Sequence, residues 1–143
     1  MIFGKSNFLP VYNNDIVAAQ REILIISPYV TKRRTVQMMQ HLEVALRNKV
    51  RVIVVTRPIG DFGEKEPAAL QGTLDLLQSA GVSVVFRPNI HQKFALIDQR
   101  IVWYGSINLL SFGSAEESIM RVNRLAKLTH HRRPKLTHPS ECF

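Results

Sequence analysis

The sequence is poor in cysteine, in acidic charge and in long apolar runs. Its one cysteine, Cys142, excludes an internal disulfide framework and any zinc site built on several thiolates. That usage suits a reducing, cytoplasmic setting. The longest uncharged run, residues 101–115, is broken by Gly, Ser and Asn. It falls short of the roughly 20 apolar residues that a membrane-spanning helix needs. Residues 1–15 hold no basic stretch followed by an apolar one, so no secretory signal is legible and no membrane partner is expected. Eleven acidic residues against nineteen Lys and Arg leave a net charge of +8. Such an excess favours a polyanionic partner, nucleic acid first among them. It gathers in two places: Lys32, Arg33 and Arg34, and a second cluster of Arg121, Arg124, Lys127, Arg132, Arg133 and Lys135. With 143 residues, 45% of them hydrophobic, the chain has one domain's worth of core.

Four stretches rich in β-branched residues read as strands: 23–27, 50–56, 82–87 and 91–104, the last long enough for a hairpin. Helical patterns lie between them. Asn14 or Asp15 is a candidate cap for a first helix running to about Glu22. Residues 35–48 and 67–80 carry apolar side chains at helical spacing, and Gly81 is placed for a left-handed cap. The alternation predicts an α/β fold with a mixed, largely parallel sheet and helices on both faces. The domain is expected over 1–127, followed by a basic, poorly ordered tail over 128–143. His130, His131, His138 and Cys142 match no tight ligand spacing, and Asp61, Glu64 and Glu66 read as a solvated acidic loop, so no metal is expected. The tail's composition and the early start of the first element suit a piece of a longer chain.

The chemistry concentrates after position 90. His91 and Lys93 are two apart in an expected strand and so share a face; Ser106 and Asn108 are two apart as well. If Asp98 and Gln99 form a two-residue hairpin turn, Ile97 pairs with Arg100 and His91 with Ser106. An imidazole, an ammonium, a hydroxyl and an amide then converge at one end of the hairpin. Such a set suits an anionic, oxygen-rich substrate, because Lys and Asn donate to phosphate oxygens and His can attack or move a proton. A lone histidine is commonly a plain surface or core residue, and Gly-Ser-x-Asn alone is an ordinary turn. Together, however, the fixed positions arise by chance in roughly one chain per million of this size. Asp98 sits at the turn and faces away from His91 and Lys93, so it reads as structural, as does Gly105.

The run His91, Lys93, Asp98, Gly105, Ser106, Asn108 resembles the HKD motif of the phospholipase D-like superfamily, HxKxxxxDxxxxxxGSxN, at every fixed position. The likeness spans about residues 8–125 and is nearest the single-motif branch, which includes small bacterial endonucleases and domains attached to helicases or restriction systems. Two such motifs make one active site in that superfamily. With a single motif here, the resemblance implies a homodimer. It also implies that His91 of one chain attacks phosphorus to give a phosphohistidine, while His91 of the other protonates the leaving oxygen and then activates water. Lys93 and Asn108 would hold the non-bridging oxygens, and Ser106 would add a hydrogen bond near the phosphate. An acidic residue after the Gly-Ser-x-Asn run is expected to orient the histidine. Glu117 is the candidate and Glu116 the alternative. No metal or other cofactor is implied.

The superfamily holds lipid enzymes, nucleases, transferases and inactive domains, so the fold does not choose the substrate. Three features favour nucleic acid, with DNA the first expectation and RNA left open. The chain is basic; Lys32, Arg33 and Arg34 follow the C-terminal end of the first strand, where ligands sit in open α/β sheets; and no segment typical of a secreted lipase is present. These cations would grip phosphates without reading bases, with Tyr29 as a candidate stacking platform. The expected activity is therefore a metal-independent endonuclease of low sequence specificity. The alternatives are a non-catalytic DNA-binding or dimerisation module, and a phosphatidyl-transfer enzyme.

Overall fold

In chain order the elements are β1 (Ile2–Gly4), α1 (Leu9–Ala18), β2 (Glu22–Ile26), α2 (Lys32–Arg47), β3 (Arg51–Thr56), α3 (Pro67–Ser79), β4 (Ser83–Phe86), β5 (Phe94–Ile97), β6 (Ile101–Gly105) and β7 (Ser118–Asn123). The computed structural model describes residues 1–60, 67–111 and 117–124. The acidic loop, Glu116 and the basic tail lie outside the described residues.

The strands form one seven-stranded sheet in the order β1-β7-β6-β5-β2-β3-β4. The mixed α/β class is the one the alternation predicts, but the balance within the sheet differs. Only β2–β3 and β3–β4 run parallel. The pairs β2–β5, β5–β6, β6–β7 and β1–β7 are antiparallel. The right-handed crossover logic applies to the β2-α2-β3-α3-β4 half alone. After it the chain returns to the middle of the sheet and continues as a meander.

The position of the helices is a second difference. Side chains of α1, α2 and α3 share one core with Ile23 and Ile25 of β2, Val52 and Val54 of β3, and Ala95 and Ile97 of β5. The alternate residues of the same strands, Leu24, Ile26, Ile53, Val55, Phe94 and Leu96, meet on the other face in a cluster that contains no helical residue. The described helices therefore cover one face of the sheet, not both. The reason lies in the handedness of the crossovers: two successive right-handed units place α2 and α3 on the same side. Each fully buried Ile in the larger core contributes about 1.5–3 kcal/mol.

The first helix starts earlier than expected. Asp15 does not cap it; the helix begins after Phe8, with Pro10 in its first turn, where a missing N–H costs nothing. Phe8, Tyr12 and Ile16, spaced by four, are buried along one side of it. Asp15 lies mid-helix and points inward. Its carboxylate accepts from Trp103 Nε1 at 2.7 Å and from Arg121 Nε at 2.7 Å and Nη2 at 2.9 Å. That contact binds α1 to β6 and β7, beside the rings of Phe3, Phe8 and Tyr12 around Trp103.

Candidate active site

The C-terminal ends of β2 and β3 and the start of β5 lie at the same end of the sheet, because β5 runs antiparallel to β2 with Phe94 opposite Ile26. β5 is the middle strand of the seven. The chain reaches it through Asn89, which adopts a left-handed φ of 62°. Ile90 then tucks into the second-face cluster with Phe94. His91, between them, is exposed.

The surrounding loops are pinned by small hydroxyl side chains. Ser27 Oγ donates to the Tyr29 carbonyl at 2.7 Å and accepts from Leu110 N at 3.2 Å. Thr31 N donates to the Leu110 carbonyl at 2.8 Å, and Thr56 Oγ1 donates to the Pro28 carbonyl at 3.2 Å. The loop after β2 and the loop after β6 are thus fixed to each other and to the end of β3.

Two cationic side chains reach His91. Lys93 Nζ donates to the His91 carbonyl at 3.2 Å. Arg57 Nη2 lies 3.5 Å from His91 Nε2. Arg57 is the residue that sequence reasoning missed. It follows β3 directly and is only 9% exposed. The signal it offered was its place, a cation just past the C-terminal end of a parallel strand.

The other motif residues take different positions. The hairpin turn is longer than expected: Ile97 pairs with Ile101, so Asp98, Gln99 and Arg100 form a three-residue loop, with Asp98 and Gln99 at φ of 54° and 55°. The register therefore shifts by one residue from the expected Ile97–Arg100 pairing. Two adjacent left-handed residues accommodate the extra position. The Asp98 carboxylate accepts from the backbone N–H groups of Gln20, Arg21 and Glu22 at 2.9, 2.7 and 3.0 Å. It ties the far end of the hairpin to the start of β2. Gly105 has a packing reason. A Cβ there would fall on the Ser118 carbonyl oxygen and within 2.7 Å of the Ile119 Cα.

Ser106 is engaged with the backbone of β7, where its hydroxyl donates to the Ser118 carbonyl at 3.3 Å and accepts from Ser118 N at 3.1 Å. Its single proton is thereby used, which departs from the expected hydrogen bond to phosphate. Asn108 is half-buried, and its Oδ1 has no partner among the described residues. Glu117 is half-buried just before β7. Among the described residues no hydrogen bond joins Ser106, Asn108 or Glu117 to His91.

The basic cluster divides. Thr31 caps α2 through its side chain, so Lys32, Arg33 and Arg34 form the first turn of the helix and the expected start at Thr35 is too late. Lys32 and Arg33 are exposed, and Tyr29 is 45% exposed beside them. Arg34 is the exception, at 5% exposed. Its Nη1 donates to Gln37 Oε1 at 3.1 Å. Burial lowers its pKa to about 10, partly offset by the Tyr12 phenol. The expectation that Arg34 grips a backbone phosphate is corrected: it belongs to the interior, and two of the three cations face solvent. Among the described residues no three His, Cys, Asp or Glu side chains group as a metal site. Nor is any described helix long and apolar enough to cross a membrane.

A histidine just ahead of the middle strand, with a guanidinium beside its ring and an ammonium on its backbone carbonyl, sits in an α/β domain of one mixed sheet with helices on one face. The family model described as "Cardiolipin synthase, PLD-like domain" matches residues 12–131, and the chain belongs to that phospholipase D-like family, whose general chemistry is phosphodiester transfer. No curated protein matches it in sequence. Among solved structures, it is similar to Nuc, a phospholipase D family member from Salmonella typhimurium (TM-score 0.67, 19% identity, 89% of this chain and 86% of that one). It is also similar to NucT from Helicobacter pylori (TM-score 0.66, 17% identity, 89% and 86%). A third similarity is to phosphatidylserine synthase from Haemophilus influenzae (TM-score 0.58, 19% identity, 89% of this chain and 35% of that one).

Proposed function

We propose that the chain is a metal-independent phosphodiesterase that cleaves nucleic acid, DNA before RNA, with little sequence specificity. The observation that carries this reading is the exposed His91, with the Arg57 guanidinium 3.5 Å from its ring and the Lys93 ammonium on its backbone carbonyl. A nucleophile and cations are the parts that phosphoryl transfer needs, and both are side chains of this chain.

In the proposed reaction a His91 ring nitrogen attacks phosphorus. A nitrogen–phosphorus bond forms as the ester bond breaks, and the leaving oxygen takes a proton from His91 of a second copy. That second imidazole, now neutral, removes a proton from water. The hydroxide displaces the first histidine, releasing the phosphate monoester. Lys93 and Asn108 hold the non-bridging oxygens, and Glu117 orients an imidazole. The homodimer follows from the single His-x-Lys motif per chain, since the reaction uses two such histidines. The nucleic-acid preference rests on the +8 charge and on exposed Lys32 and Arg33 at the same end of β2. Tyr29, beside them, is a platform on which a base can stack.

A cleavage assay in EDTA, with labelled single- and double-stranded DNA and RNA, tests this directly. The native chain cleaves DNA in chelator, and His91→Ala loses activity by about 10³-fold or more. Activity lost in EDTA and restored by magnesium sinks the mechanism. DNA binding without cleavage selects a recognition module instead. One observation favours a second substrate class: the matching family model is named for a lipid-forming enzyme. Release of headgroup from anionic vesicles, with no cleavage of nucleic acid, selects that reading.

A further inference from the structure

Arg57 has no place in the motif that points to His91, yet its guanidinium lies against the imidazole ring. It is almost fully enclosed, at the end of a buried parallel strand. Its neighbour Thr56 is fixed at two points: the side chain donates to Pro28, and the carbonyl accepts from Arg87 N at 2.9 Å. The guanidinium is therefore delivered to the site by rigid framework.

The contact has a directional consequence. An arginine N–H can donate but never accept. If the 3.5 Å approach of Nη2 is a hydrogen bond, His91 Nε2 is its acceptor, and the proton of the neutral ring belongs on Nδ1. Nε2 is then the nucleophilic nitrogen, and in the free protein a guanidinium N–H covers it.

We propose that Arg57 is a catalytic residue that exchanges partners when an anion arrives. In the free protein it masks Nε2. With a phosphate or phosphodiester bound, the same N–H groups turn to a non-bridging oxygen. The exchange uncovers the lone pair and sets phosphorus in front of it. A guanidinium suits the task, because its planar fork can hold an oxyanion through two parallel bonds. Attack then proceeds as above: the Nε2–P bond forms, the ester P–O bond breaks, and Arg57 keeps the charge that builds on the equatorial oxygen. The step rests on the phosphodiesterase reading; the masking of Nε2 and the binding of phosphate do not.

Nitrogen-15 NMR of the native chain at alkaline pH, with the imidazoles neutral, tests the masking with no variant at all. His91 carries its proton on Nδ1. A proton on Nε2 overturns the inference. Arg57→Ala moves the proton toward Nε2, the form that free imidazoles favour, and weakens binding of inorganic phosphate about tenfold or more. Arg57→Lys keeps the charge and serves if the alanine variant does not fold; it retains part of the phosphate affinity but not the Nδ1–H form. Hydrolysis of bis(4-nitrophenyl) phosphate falls about 100-fold in Arg57→Ala, and added methylguanidine restores part of it. The two readings fail differently. A native chain that hydrolyses no diester, but needs Arg57 for phosphate and for the tautomer, loses the phosphodiesterase reading and keeps the anion site. A folded Arg57→Ala with unchanged tautomer, phosphate affinity and hydrolysis, beside a dead His91→Ala, keeps the phosphodiesterase and removes Arg57 from it.

Discussion

Asp98 shows how one carboxylate can set a strand. Burial opposes its charge, but the N–H groups of Gln20, Glu22 and Arg21, together with the charge of Arg100, outweigh burial and hold its pKa below the ordinary value. A depressed folded pKa stabilises at pH values above the unfolded pKa of about 3.9, and that stability drains away as pH falls through the folded value. Asp98→Asn should therefore cost about 1–2 kcal/mol at neutral pH. The gap to the native chain should close in acid, as pH falls through the depressed folded value. Urea unfolding of both proteins at the two pH values checks it; an equal gap in acid assigns the effect to shape and not to charge. Residues differ in how far sequence exposes them. His91 and Lys93 are legible as a pair because two positions along an extended chain share a face. Arg57 is not, since its approach to His91 is made by lateral pairing of strands far apart in sequence. The burial of Arg34 escapes for a related reason: a single residue step along the helix separates an exposed Arg33 from an enclosed neighbour, and only the packing of α1 decides which is which.

At the scale of elements, helix ends are more legible than helix starts. Gly81, at φ of 104°, closes α3, with Val82 N donating to Leu77 and Gly81 N to Gln78. Glycine announces that geometry in sequence. α2 ends in the same hydrogen-bond pattern, Val50 N to Ala45 and Lys49 N to Leu46, but a lysine occupies the left-handed position at φ of 66°. Among the described residues no hydrogen bond from the Lys49 side chain offsets the strain. Lys49→Gly should accordingly raise stability by about 0.5–1 kcal/mol, read as a higher urea midpoint with unchanged slope. A lower midpoint would show that the unfolded chain's gain in freedom wins. The starts are harder. Thr31 caps α2 ahead of three cations, against the usual acidic first turn, and Pro10 rather than Asp15 marks the beginning of α1. The hairpin loop misleads by one residue because Asp-Gln lacks the glycine that normally signals left-handed geometry.

Over the whole molecule, the alternating half of the sheet is legible and the returning half is not. Helix-strand alternation fixes β2, β3 and β4 as parallel neighbours. Nothing local says that β5 inserts beside β2, or that Ile2 pairs with Met120. Charge is also a whole-molecule property. If the exposed first turn of α2 meets a polyanion, DNA affinity should fall steeply with salt on a double-logarithmic plot. Lys32→Ala and Arg33→Ala should each flatten that slope by about one unit, since each leaves one phosphate without its cation. Arg34→Ala should leave the slope alone and lower stability instead. Affinity measured by fluorescence anisotropy across a salt series decides; equal slopes in all three variants would move the DNA-binding surface elsewhere on the molecule.

Trp103 is the chain's one tryptophan; it is fully buried, ringed by Phe3, Phe8 and Tyr12 and hydrogen-bonded to Asp15. All indole emission from this protein therefore comes from a single dry position where α1 meets β6. The protein carries a built-in optical gauge that reads the docking of its first helix. A substitution at the His91 end that alters turnover while leaving this emission unchanged has altered chemistry and not the fold.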